Sequence, residues 1–186
     1  MCGVFILRLA AFSTSRKISF MPNKILRSFR PFADKTSKVL ILGTMPGPTA
    51  LRKQEYYGFS GNHFWKIMGK LFEVEHELSY SEKIALLKRN SIALWDIFHS
   101  CKREGAADNA IQAAELNRIP GLLKKFPGIK TIFLNGRTAE KTFRKHFAQK
   151  IKIPAYYLPS TSPAHAGLSF SEKLKAWTAI RNELKS

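Results

Sequence analysis

The chain has 186 residues, the size of one domain, and its 45% apolar and 24% charged content excludes a disordered chain. Thirty-one Lys and Arg against thirteen Asp and Glu leave a formal net charge of +18. Two cysteines, Cys2 and Cys101, and five scattered histidines offer no Cys-x-x-Cys pair and no metal-ligand spacing, which argues against a zinc site, an iron–sulfur cluster or a disulfide scaffold.

An excess of positive charge concentrates polyanions and speeds their capture, and binding to nucleic acid would weaken steeply with salt. The alternative reading of the charge is a cationic surface kept for solubility. The first thirty-three residues hold no acid. Val4-Phe5-Ile6-Leu7 is broken by Arg8 and is too short to span a bilayer. Arg8, Arg16 and Lys17 among Ser13, Thr14 and Ser15 have the composition of a targeting peptide, while Met21 is an equal candidate for the start. Residues 1–37 are therefore read as a basic extension and residues 38–186 as one domain. An intracellular, cytoplasmic location is expected, with organellar targeting by residues 1–20 left open.

From Lys38 onward the elements alternate. Val39 to Leu42 is a continuous apolar run, the mark of a strand covered on both faces. Asn62 to Phe72 has helical spacing, with Phe64, Met68 and Leu71 or Phe72 on one side. Ser81 to Arg89 is a second helix, with Ser81 as its cap and Ile84 and Leu87 facing inward. Ile92 to Phe98 is a short strand and its exit. Ala106 to Lys125 is expected to hold one or two helices, broken near Pro120-Gly121. Thr131 to Leu134 is a strand, and Arg137 to Phe147 a helix with Ala139, Phe143 and Phe147 inward. Ala155 to Leu158 is a fourth strand, and Phe170 to Leu184 a closing helix with Phe170, Leu174, Trp177 and Leu184 on its apolar face. This alternation predicts an α/β fold, a parallel sheet between helix layers, with ligands at the carboxyl ends of the strands.

Four loops leave those ends. The first, Gly43-Thr44-Met45-Pro46-Gly47, has glycines that let a ligand approach the backbone and a proline that stiffens the turn. It runs on into Tyr56-Tyr57-Gly58-Phe59-Ser60-Gly61-Asn62-His63-Phe64-Trp65, where Tyr57 and Asn62 are site candidates and Phe64 and Trp65 read as core. The second contains Asp96, close to a strand end, and Asp108, whose expected role is to cap a helix. The third, Leu134-Asn135-Gly136-Arg137, opens a helix, and its N-terminus with Arg137 and Lys141 suits an anion. The fourth, Leu158-Pro159-Ser160-Thr161-Ser162-Pro163-Ala164-His165-Ala166-Gly167, offers hydroxyls and amides to phosphate oxygens. His165 is either a donor to developing negative charge or a solvated loop histidine.

Taken together, GTMPG, YYGFSGNHFW, ALWD, LNG and LPSTSPAHAG resemble the uracil-DNA glycosylase superfamily, and within it the hypoxanthine-DNA glycosylases. The resemblance runs from about Lys38 to the C-terminus. It implies a three-layer sandwich around a four-stranded parallel sheet. It also implies a monofunctional enzyme, working as a monomer without metal or cofactor, that flips a damaged base from double-stranded DNA and cuts its N-glycosidic bond. In mismatch-type relatives an asparagine of the first loop positions the water, and here that place is Met45. In the commonest uracil-specific relatives a histidine opens the last loop, and here that place is Leu158. Both departures point away from ordinary uracil excision, and the resemblance assigns the catalytic part to Asn62.

On this reading Asn62 and His165 are catalytic. Gly43, Thr44, Met45, Pro46 and Gly47 line the base edge through their backbone, and Tyr57 stacks on the base. Asn135, Arg137, Ser160, Thr161 and Ser162 hold DNA. The rival readings are a uracil or mismatched-thymine glycosylase of the same superfamily and a catalytically silent DNA-binding member. A serine hydrolase lacks its Gly-x-Ser-x-Gly elbow.

Overall fold

In the computed structural model, residues 25–74 and 77–185 are described. The targeting peptide and the alternative start at Met21 lie outside the described residues. The strands are β1 (Ile25–Arg27), β2 (Val39–Gly43), β3 (Ile92–Asp96), β4 (Phe98–Lys102), β5 (Gln112–Leu116), β6 (Thr131–Asn135) and β7 (Ala155–Leu158). The helices are α1 (Pro48–Lys53), α2 (Phe64–Leu71), α3 (Tyr80–Arg89), α4 (Ile119–Lys125), α5 (Arg137–His146) and α6 (Phe170–Lys185).

The main sheet is parallel throughout, in the order β3-β2-β6-β7. Every residue of β2 is buried, which explains its unbroken apolar run. Its side chains alternate between two cores. Leu40 and Leu42 pack with Leu122, Leu123, Ala139 and Phe143 on the face covered by α4 and α5. Val39 and Ile41 pack with Phe64, Ile67, Met68, Leu87 and Trp177 on the face covered by α2, α3 and α6. This is the expected three-layer sandwich with four parallel strands.

Three local expectations are corrected. The cap of α3 is Ser79, not Ser81. Ser79 and Glu82 exchange side chain-to-backbone hydrogen bonds in a capping box, so the helix starts one residue early. Pro120 and Gly121 lie within the first turn of α4 and do not break it, because proline at that place gives up no helical hydrogen bond. The segment before α4 holds a single 3-10 turn (Asp108–Ala110) and the antiparallel strand β5 where helix was expected. Gln112-Ala113-Ala114-Glu115-Leu116 favours helix by local propensity. Pairing with β4 overrides it, with Ala113 absorbing a left-handed φ of 45°.

β4 belongs to a second, three-stranded sheet, order β1-β4-β5, that the sequence did not announce. It also draws residues 25–37 into the packed body. β1 pairs with β4, Phe32 pairs with Leu94, and Arg30 accepts a hydrogen bond at 3.0 Å from the Tyr56 hydroxyl. Asn117 ties the two sheets. Its Nδ2 donates to the carbonyls of Asp96 (2.9 Å) and Phe98 (3.1 Å), across the bend between β3 and β4. Among the described residues no helix is long and apolar enough to cross a membrane.

Asn117 is 5% exposed, so Asn117→Ala strands two carbonyls. We expect a loss of about 1–3 kcal/mol in unfolding free energy, read as a lower urea midpoint at unchanged slope.

Candidate active site

The carboxyl ends of β2, β3 and β6 meet at one edge, and in parallel register Gly43 stands opposite Asp96. Gly43 permits the close approach of Asp96 and Tyr57. A Cβ there would lie 2.7 Å from Asp96 Oδ1, closer than real side chains come, and 3.1 Å from the Tyr57 hydroxyl, a tight contact. A Cβ on Gly47 would meet nothing within 4 Å. Met45 is 6% exposed and belongs to the core under α4 and α5, so of its atoms only the backbone is available to a ligand. The carbonyls of Met45 and Pro46 face Arg103, whose Nη2 donates to Pro46 at 2.5 Å and Nη1 to Met45 at 3.4 Å.

Thr44 Oγ1 donates to Asp108 Oδ2 at 2.5 Å. Asp108 is thus fastened to the first loop and caps no helix; the residue preceding its 3-10 turn, Ala107, has no side-chain cap. Burial raises the Asp108 pKa, against the Thr44 bond and Arg103. Asp96 is buried too. Burial first, and Asp108 second, push its pKa up to about 7, with Arg103 pulling the other way.

Tyr57 follows Tyr56 with a left-handed φ of 55°. One face of its ring stacks on Phe64, centroids 3.9 Å apart at 13°. Phe64 is fully buried, as expected for core. The Tyr57 hydroxyl accepts from Asn135 Nδ2 at 3.1 Å. Burial, then the nearby Asp96, push its pKa far above the ordinary tyrosine range. Asn62 keeps partial exposure beside it. Its Oδ1 accepts from the Phe64 amide at 3.0 Å, which fixes the side chain at the start of α2.

Asn135 and Thr161, expected among the DNA contacts, form an internal tie instead. Asn135 is 7% exposed and Thr161 is 1% exposed. Asn135 Oδ1 accepts from the Thr161 amide at 3.0 Å, and its Nδ2 donates to Thr161 Oγ1 at 3.1 Å. With these atoms engaged and buried, neither side chain is free for a phosphate. The remaining members of that set stay near the surface. Arg137 has a 62% exposed side chain, pairs with Glu140 and lies 4.3 Å from the Tyr157 ring. Ser160 and Ser162 are half-buried, their hydroxyls accepting from the amides of Ser162 (3.2 Å) and Ala164 (3.3 Å). His165 is half-buried in the same loop.

Lys173 was not singled out by sequence. It is 1% exposed on α6, and its Nζ donates to the carbonyl of His165 at 2.8 Å. Burial lowers its pKa. The available signal was a cation one turn after Phe170, inside the apolar stripe of that helix. Arg103 carried no comparable signal, because its partners are backbone carbonyls more than fifty residues away.

Two surface grooves lie elsewhere. One, about 530 Å³, is lined by Lys38, Phe72, Glu73, Arg89 and Arg181. The other, about 510 Å³, lies between β7 and α6. Neither gathers buried, unpaired polar groups, and the carboxyl edge does. Among the described residues no group of three or more His, Cys, Asp or Glu is placed to hold a metal ion.

The family model for the uracil DNA glycosylase superfamily matches residues 30–185. The chain belongs to the uracil DNA glycosylase superfamily. A hypoxanthine DNA glycosylase of Methanosarcina acetivorans is 35% identical over 159 residues, 84% of this chain and 98% of that protein. A hypoxanthine DNA glycosylase of Methanosarcina barkeri is 38% identical over 112 residues, 60% of this chain and 71% of that one. A solution NMR structure of a candidate uracil DNA glycosylase from Methanosarcina acetivorans superposes with a TM-score of 0.72 at 33% identity, covering 85% of this chain and 99% of that one. At the carboxyl edge of the sheet, Asn135 at the end of β6 meets Thr161 of the last loop.

Gly136 joins that edge to α5 with φ 100°, and a Cβ on it would lie 3.0 Å from the Ser160 Cβ. Gly136→Ala is expected to cost about 1–3 kcal/mol through backbone strain and to displace the last loop. Urea unfolding reads the first effect, and weaker binding of a duplex with an abasic analogue reads the second.

Proposed function

We propose that this chain is a monofunctional DNA glycosylase that flips a deaminated base from duplex DNA and hydrolyses its N-glycosidic bond, with hypoxanthine in deoxyinosine as the substrate. One observation carries the reading. The Tyr57 hydroxyl borders Gly43 of the first loop and is tied through Asn135 to Thr161 of the last, and the amide of His63, next to Asn62, donates to the Thr161 carbonyl, in a chain matching 98% of the length of a protein named hypoxanthine DNA glycosylase.

The +18 charge captures the duplex through its phosphates. Flipping costs a few kcal/mol, least at a weakened pair such as inosine opposite thymine. Arg137 and the last loop hold the distorted backbone. Phe64 occupies one face of Tyr57, so the base stacks on the other. Such a stack contributes roughly 1–3 kcal/mol. Base release passes through a sugar resembling an oxocarbenium ion, which calls for a placed water more than for a strong base. Asn62 suits that task. Its Oδ1, already accepting from Phe64, has a second lone pair for the water, and its Nδ2 is a donor for the purine. His165 supplies a donor near the sugar or its flanking phosphate. The reading needs one copy of the chain, and none of its steps draws on a metal or cofactor.

A second reading has one observation behind it: the solved relative is described as a candidate uracil DNA glycosylase. Duplexes carrying inosine, xanthine or uracil, followed by alkali to cut abasic sites, separate the two. Uracil released much faster than hypoxanthine would replace the substrate proposed here. Asn62→Ala is expected to lower the single-turnover rate about 100-fold or more, on the order of 3 kcal/mol. Its affinity for a duplex with an abasic analogue should stay near that of the parent. An unchanged rate would remove Asn62 from the chemistry.

A further inference from the structure

Asp96 closes β3 opposite Gly43, at the carboxyl edge of the sheet beside the Tyr57 hydroxyl. It is 4% exposed. Asn117 takes its backbone carbonyl, but its side-chain Oδ2 has no hydrogen-bond partner among the described residues. Its Oδ1 borders the spot that a Cβ on residue 43 would fill, with the Tyr57 hydroxyl on the other side of that spot. The ionisable groups facing it are Asp108 from the 3-10 turn, Arg103 from the end of β4, and Tyr56 and Tyr57 from the first loop. The terminal nitrogens of Arg103 are directed at the carbonyls of Met45 and Pro46. A buried carboxyl left unpaired at the carboxyl ends of parallel strands is a candidate for contact with a ligand.

We propose that Asp96 is a further catalytic residue, whose carboxyl donates a proton to the N7–O6 edge of the departing purine. The inference rests on the glycosylase reading above and deepens it. With the pKa raised to about 7 by burial and by Asp108, a protonated carboxyl persists close to neutral pH. Hypoxanthine presents two adjacent acceptors, N7 and O6. When the C1′–N9 bond breaks, its electron pair passes into the purine. The proton of Asp96 moves to N7, and hypoxanthine leaves as a neutral molecule. Water forms the new C1′–O bond and releases one proton, which restores the carboxyl. No reactant besides water is consumed.

The test is single-turnover release of hypoxanthine from an inosine–thymine duplex between about pH 5.5 and 9. The raised pKa sets the sign: the active form is protonated, so the rate is highest below about pH 7 and falls about tenfold per unit above it. Asp96→Asn is expected to be slower by about 100-fold or more at pH 6.5 and to lose the alkaline limb. It should bind a duplex with a tetrahydrofuran abasic analogue as the parent does. It should also melt at the same or a higher temperature at pH 8, since a buried charge is removed, so slow release would not reflect unfolding. Asp108→Asn removes the like charge while keeping an acceptor for Thr44, and should move the alkaline limb to lower pH whatever its maximal rate.

A parental profile that stays flat above pH 6, or Asp96→Asn with the parental rate and profile, would overturn this role and leave the glycosylase reading standing. If the parental protein releases no base from inosine, xanthine or uracil duplexes, the glycosylase reading falls and this role with it.

Discussion

One carboxamide holds the candidate site in shape. Asn135, at the end of β6, binds the backbone and hydroxyl of Thr161 through both ends of its side chain and also donates to the Tyr57 hydroxyl. Three chain segments separated by 26 and 78 residues are fixed by three hydrogen bonds. Because the tie is buried, its bonds do not compete with bulk water. Without it, the aromatic ring of the first loop and the hydroxyl-rich last loop would lack a common reference. The His63 amide adds a second fastening, donating to the Thr161 carbonyl at 3.0 Å, next to Asn62.

Around this tie the interior is unusually polar for a core. Asp96, Lys173 and Asn135 are all buried, and Asp108 lies fastened beneath the first loop. Burying such groups is unfavourable unless each finds a partner. Asp108 has Thr44, Lys173 has the His165 carbonyl, and Asn135 has Tyr57 and Thr161. The pattern is that of a preorganised site, in which polar groups are desolvated and oriented before a substrate arrives. The charge excess does different work. It acts at long range on a polyanion, whereas the buried groups act at the length of one hydrogen bond.

The second sheet explains why the chain turns away from the main sheet after its edge strand β3. β3 ends at Asp96, Ile97 donates to the Gly43 carbonyl, and Phe98, the first residue of β4, donates to the Thr44 carbonyl. Those two bonds hold the first loop against the departing chain and leave the Asp96 side chain beneath it. Residues 25–37 brace the same corner, which is why the packed body reaches further back than the apolar run at Val39 suggested.

The sequence by itself determined the four parallel strands and the helices between them. Those features follow from local periodicity and from glycine and proline at strand ends, and Val39 to Leu42 and the α2 stripe kept the roles their patterns announced. The quoted motifs likewise carried the superfamily without reference to coordinates. Only the tertiary structure decided which polar residues face inward. Asn135 and Thr161 read as surface phosphate contacts and became an internal tie. Asp108 read as a cap and became a partner of Thr44, and Gln112 to Leu116 read as helix and became a strand. In each case the deciding partner lies far away in the chain. A one-dimensional pattern reports which residues are apolar and how they repeat, but a hydrogen bond between residues 44 and 108, or 57 and 135, exists only once folding has brought them together.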